Sequence, residues 1–198
     1  MSARDDILAS IRMRTRPKAP KPPAYRAPAI APDLIAAFVR KATAASADVK
    51  ILDSEDEIPN AVAELLRARN LAARIHLAPG SDLAAADWQL GVERSPPGPD
   101  DAAVTRAPFG IAETGTLLQP ARETSPASWH FRPGLEIAIL RAADIVAHLE
   151  DVKLGPLPAT INLITGPSRT GDIEQTLELG AHGPKALAVL IVRGSRQK

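Results

Sequence analysis

The sequence predicts an α/β fold: three α/β/α layers around a largely parallel mixed sheet, extended at the N-terminal side by a helical arm. Three observations carry that reading. Apolar strand-like runs alternate with helical patterns along most of the chain, as parallel sheets require. Several of those runs, such as Leu187–Val192, are apolar throughout rather than on alternate positions, which is the mark of strands covered on both faces. And six prolines fall between Pro17 and Pro32, separating a short amphipathic segment from the rest.

Ser2, Asp5, Ile7, Leu8, Ile11 and Met13 predict a capped amphipathic helix ending near Arg14. The proline-rich stretch after it reads as an extended tether, so that residues 1–32 form an arm and residues 33–198 one domain. The helix of the arm is free to dock on its own body or on a second copy of the chain. Asp33 is placed to cap a helix carrying Leu34, Ile35, Phe38 and Val39 on one face. Strands are expected at Val49–Leu52, Arg74–Leu77, Gln89–Glu93, Ala102–Phe109, Thr116–Gln119, Glu136–Leu140, Thr160–Thr165 and Leu187–Val192. Between the first two, Ser54 and Glu57 form a capping box ahead of Ile58, Val62, Leu65 and Leu66. A short helix is expected around Leu83, and longer ones over Ala142–Leu149 and from Asp172 toward Leu179.

Composition narrows the function classes. No uninterrupted apolar run approaches the roughly 20 residues of a membrane span, and the acids Asp5 and Asp6 argue against a secretion signal, so the expected location is the cytoplasm. With no cysteine, these residues hold no disulfide, catalytic thiol or cysteine-ligated iron–sulfur cluster. The histidines lack metal-ligand spacing, no metal is expected, and no cofactor is expected in this chain. The net charge of +1 hides a basic arm on an acidic body, but with no interleaved aromatic apart from Tyr25 the arm does not read as a nucleic-acid binder.

Three segments carry candidate chemistry. Thr165-Gly166-Pro167-Ser168-Arg169-Thr170-Gly171-Asp172 ends a strand with anion-friendly groups: Gly166, the hydroxyls of Ser168 and Thr170, the Arg169 guanidinium, and Asp172 at an expected helix start. The same residues serve equally well as a strand end and a helix cap. Glu113-Thr114-Gly115-Thr116 is a sharp turn; a carboxylate held there suits a nucleophile or general base, or simply binds nearby amides. Gly115 permits close backbone approach, and the threonines can bond their own turn. His182 and Lys185, in Gly180–Lys185, are weaker candidates. These loops are expected to meet at the carboxyl ends of neighbouring strands, where open α/β sheets hold ligands.

Taken together, Ala112–Thr116, Ile164–Thr170, Asp172–Glu174 and His182–Lys185 resemble the lactate-utilization protein C family of LUD-domain proteins. The resemblance implies a fold similar to the ribose-phosphate isomerases and CoA-transferases. It further implies a role in oxidising L-lactate to pyruvate beside iron–sulfur partner proteins, with a small anion bound by this chain. The segment Ala121–Phe131 departs from the family pattern, and Glu136 stands near a position where the family has a histidine. Two other functions fit the residues: a free-standing acyl-transferase, isomerase or cycloligase using Glu113, and a protein-binding module working through its basic arm.

Overall fold

The computed structural model describes residues 3–13, 20–171, 177–179 and 183–194. Its centre is a six-stranded sheet in which every neighbouring pair is parallel. The strands are β1 (Asp48–Leu52), β2 (Arg74–Leu77), β3 (Gly91–Glu93), β4 (Ala102–Ala107), β7 (Leu135–Arg141) and β12 (Ala186–Val192), in the spatial order β1-β12-β7-β4-β2-β3. A second, four-stranded sheet in the order β8-β5-β6-β9 is built from β5 (Phe109–Ile111), β6 (Thr116–Pro120), β8 (Ile145–Val146) and β9 (Ile161–Ile164).

The alternation along the central strands divides the core into two. Ala188, Leu190 and Val192 of β12, with Leu135, Ile137 and Ile139 of β7, pack with Ile58, Val62 and Leu66 of α3 (Ile58–Ala68). Leu187, Val189 and Ile191, with Ala138 and Leu140, face the opposite way and pack with Phe38 and Ala42 of α2 (Leu34–Ala44) and with Leu117 of β6. Successive strand residues point to opposite faces, so an apolar strand in the middle layer contributes to both clusters. Each fully buried Leu, Ile or Phe here contributes about 1.5–3 kcal/mol. The result is the expected three-layer arrangement, with the small sheet sharing one outer layer with α2.

Several local rules hold as read. Asp33 caps α2, its carboxylate accepting from the Ala36 amide at 3.0 Å. Ser54 and Glu57 form the capping box, after which Pro59 enters the first turn of α3. α1 (Ala3–Met13) forms, buries no residue, and exposes Ile7, Ile11 and Met13.

Three expectations are corrected. Ala102–Phe109 is not one strand: Pro108 interrupts it, and the chain reverses from β4 into β5, which pairs antiparallel with β6. Ala142–Leu149 is not a helix but two 3₁₀ turns, Ala142–Asp144 and Leu149–Asp151, flanking β8, because β-branched Ile145 and Val146 pair with Gly110 and Ile111. Of the helix expected from Asp172 toward Leu179, residues 172–176 lie outside the described residues, and Leu177–Leu179 form instead a strand, β11, paired antiparallel with β10 (Arg169–Gly171). Gly171 is a poor helix former, and cross-strand pairing decides the outcome. Asp172 itself lies outside the described residues.

Two glycines lock the outer layer onto α2. Gly115 has φ +70°, and a Cβ there would lie 2.3 Å from the Ala42 amide nitrogen. Gly166 has φ +74°, and a Cβ there would lie 2.0 Å from the Ala45 carbonyl oxygen. Both obstructing atoms are backbone, so the contact cannot be relieved by a rotamer change. Gly115→Ala and Gly166→Ala are each expected to destabilise the chain by about 2 kcal/mol or more in denaturant titrations. A loss of a few tenths of a kcal/mol would show that the turns do not depend on this close approach.

Candidate functional site

The motif turns do come together, but at the opposite end of the sheet from the one expected. The tip of the β5–β6 hairpin packs on α2 near its C-terminal end, where Ala45–Ala47 lead into the start of β1. The Thr165–Ser168 loop lies beside it, and the Ser168 amide donates to the Pro184 carbonyl at 2.9 Å, just ahead of the first residue of β12. Both turns therefore sit at the amino-terminal ends of the parallel strands. The expectation of carboxyl ends fails because β5 folds back down the sheet after Pro108 and carries its hairpin tip with it.

Within this group the Thr116 hydroxyl lies 2.7 Å from that of Thr114 and 2.6 Å from that of Thr165. Arg169 donates to the Ser46 hydroxyl at the end of α2. Ala45, Phe131, Thr165, Gly166, Arg169 and Pro184 border a cleft of about 490 Å³. Lys185 is exposed, 3.7 Å from Asp100. Thr170 belongs to β10. Asp172 and His182 lie outside the described residues.

Glu113 faces away from that cleft. Its Oε2 accepts from His148 Nδ1 at 2.9 Å and its Oε1 from the Leu149 amide at 3.3 Å, which clamps the hairpin tip to the turn after β8. The His148 hydrogen bond holds the Glu113 carboxyl below the usual carboxylate range, against partial burial and with help from the Leu149 amide. The same bond raises the His148 imidazole above its ordinary value, again against desolvation.

The other end of the sheet holds a crevice of about 500 Å³ outside the carboxyl ends of β2, β4 and β7. Its floor includes Thr105 and Arg106, and Arg141 stands at its side. Gln119 and Pro120, at the end of β6, and the loop Arg122–Ser125 close it. That loop rests on Gly80, where a Cβ would meet the Thr124 side chain at 2.4 Å. Three arginines and two aspartates line the crevice. Arg106 is held by Glu55 and Asp82, and Arg141 by Glu55. Arg122 is exposed and makes no salt bridge among the described residues. A larger cavity, about 670 Å³ between α3 and the segment Ala86–Leu90, contains none of the candidate residues.

Beneath the crevice runs a buried polar chain. The Thr105 hydroxyl donates to Glu136 Oε1 at 2.8 Å, His130 Nδ1 lies 2.7 Å from the same oxygen, and His130 Nε2 lies 3.3 Å from the Ser125 hydroxyl. His130 and Glu136 are both 0% exposed. Among the described residues Glu136 Oε2 and the amide nitrogen of Gln119 are buried without a hydrogen-bond partner. Sequence reasoning did not single out Arg122, Ser125 or His130. Glu136 left a signal, as a carboxylate inside Leu135–Leu140, where every other residue is apolar.

The Glu113–His148 clamp gives a pH prediction. Its carboxylate contribution is complete above the ordinary Glu range and is lost as pH falls through the lowered Glu113 value. Its imidazolium contribution is complete below the ordinary His range and is lost as pH rises through the raised His148 value. In an NMR titration, Glu113→Gln is expected to lower the His148 midpoint toward that of a free histidine. An unchanged midpoint would remove the ion pair as the cause.

Comparison with known proteins agrees with this architecture. Residues 100–192 match the model of the LUD domain family. The lactate utilization protein C of Geobacillus kaustophilus is 36% identical over 91 residues, covering 41% of this chain and 38% of that protein. An uncharacterized protein of Neisseria meningitidis, NMB1437, is 32% identical over 98 residues, covering 46% and 42%. The matched stretch thus spans about two fifths of the length of these relatives. Among solved structures, a DUF162 family protein from Deinococcus radiodurans superposes with a TM-score of 0.57 at 20% identity, covering 80% of this chain and 96% of that one. From β4 to β12, the segment that the LUD domain model matches, this chain is similar to LUD-domain proteins, the lactate utilization protein C of Geobacillus kaustophilus among them.

Proposed function

We propose that this protein is a component of lactate utilization that holds a small hydroxy- or keto-carboxylate in the crevice at the strand carboxyl ends. The observation that carries the reading is Arg122, a guanidinium on the rim of that crevice that makes no salt bridge among the described residues and lies within the segment that matches the LUD domain. A guanidinium without a carboxylate partner is a ready bidentate donor to a guest carboxylate. Thr105 and Ser125 add hydroxyls for a substituent beside the carboxylate.

Oxidising a hydroxy acid requires an electron acceptor, and the sequence has no cysteine to hold a cluster. The proposal therefore places the electron carriers in iron–sulfur partner proteins. α1, with its exposed apolar residues, is the segment best suited to dock such a partner or a second copy. Among the described residues no helix is long and apolar enough to cross a membrane.

Calorimetric titration of L-lactate and pyruvate tests the binding reading. Arg122→Ala is expected to weaken binding about tenfold or more, as for loss of a charged hydrogen bond, while Arg169→Ala leaves it unchanged. The reverse pattern would move the guest to the cleft beside α2, and no binding to either protein would remove it. Complementation of a deletion strain on lactate as carbon source tests the wider role: failure of the wild-type chain to restore growth counts against it.

A further inference from the structure

We infer that Ser125, His130 and Glu136 form a proton relay that makes the Ser125 hydroxyl a nucleophile toward activated esters entering the crevice. The geometry has the required order. Ser125 lines the crevice and is half-buried, His130 lies behind it, and Glu136 lies behind His130 on β7. With His130 carrying its proton on Nδ1 and donating it to Glu136, Nε2 is left as the acceptor for the serine proton. The tautomer follows from the carboxylate on the Nδ1 side. The 3.3 Å separation between Ser125 and His130 is the looser spacing usual before a substrate tightens such a bond.

The supports of the relay are fixed. Thr105 donates to the same Glu136 oxygen that faces His130, so the carboxylate cannot swing away. Trp129, buried against Ala78 and Ala103, anchors the short helix α4 (Ser128–Phe131) that carries the histidine over β4. The loop bearing Ser125 is tied by reciprocal backbone bonds between Arg122 and Ser125, at 3.1 and 3.0 Å. Arg122 beside Ser125 selects for an ester that carries a second, anionic group.

The step balances without an added oxidant or metal. The Ser125 oxygen bonds to the acyl carbon while its proton passes to His130 Nε2. The ester C–O bond breaks, and the leaving alcohol takes the proton from His130. Water then attacks the acyl-serine through the same imidazole and releases the carboxylic acid. Ser125 and His130 are the catalytic residues, and Glu136 is a positioning residue. The inference is independent of the lactate reading, and its test contains no lactate.

The full chain is treated with an alkyl fluorophosphonate, which forms an Oγ–P bond and expels fluoride; adducts are weighed intact and mapped by peptide mass spectrometry. A single adduct on Ser125 is expected, absent from Ser125→Ala, and forming at least about a hundred-fold more slowly in His130→Gln. Glu136→Gln is expected to slow labelling about tenfold or more, and Glu136→Asp to recover part of the rate. Absence of label on Ser125 in the wild-type chain overturns the relay. So does a labelling rate unaffected in a His130→Gln protein that melts like the wild type. If His130→Gln does not fold, the two Glu136 variants decide: a Glu136→Gln protein that labels as fast as the wild type, or one whose lost rate Glu136→Asp does not recover at all, overturns it.

Discussion

A carboxylate in the middle of a parallel sheet dictates much of the local architecture. Glu136 sits on β7, between β12 and β4, with no exposure to solvent. A buried charge left unpaired would cost several kcal/mol. Its partners are drawn from two directions: Thr105 from the neighbouring strand, and His130 from a segment that must fold back across the sheet to reach it. That return path brings Arg122–Ser125 over the ends of β2 and β4, and so closes the crevice. The segment that departs most from the family pattern is thus the one that Glu136 organises, with His130 supplying an imidazole beside the position where the resemblance would place one.

The chain separates two regions that sequence motifs alone would merge. The Glu-Thr-Gly-Thr hairpin and the Thr165–Arg169 loop gather around the last turn of α2, at the amino ends of the strands. The crevice with its arginines opens at the carboxyl ends. The glycines of the two motifs let backbone approach backbone, and what approaches is α2. The motifs therefore have a visible task in joining layers, whatever else they contact.

Legibility in the sequence follows the range of the deciding interaction. The Asp33 cap, the Ser54–Glu57 box and the strand Arg74–Leu77 are set by residues within a turn of one another, and they form where the local rules place them. Ile145-Val146 and Leu177–Leu179 read as helix because their strand partners, Gly110-Ile111 and Arg169–Gly171, are chosen by tertiary pairing. The same limit applies to the site. Gly115 and Gly166 announce close approach by being glycine, but not what they approach. Glu136 stands out in an apolar strand, whereas the pairing of His130 with it requires knowing that α4 lies across β4.

The order of strands has a consequence for how the chain acquires its shape. β12 lies between β1 and β7, and, among the described residues, positions 48–52 find their one sheet neighbour at positions 188–192. During synthesis β1 must wait, with α2 beside it, until nearly the whole domain has emerged before its edge is covered. Contacts so distant along the chain close slowly, and an open parallel edge invites association with other nascent chains. Completion of the sheet then hinges on that one distant pairing, so β1 is a strand whose register is fixed late in folding.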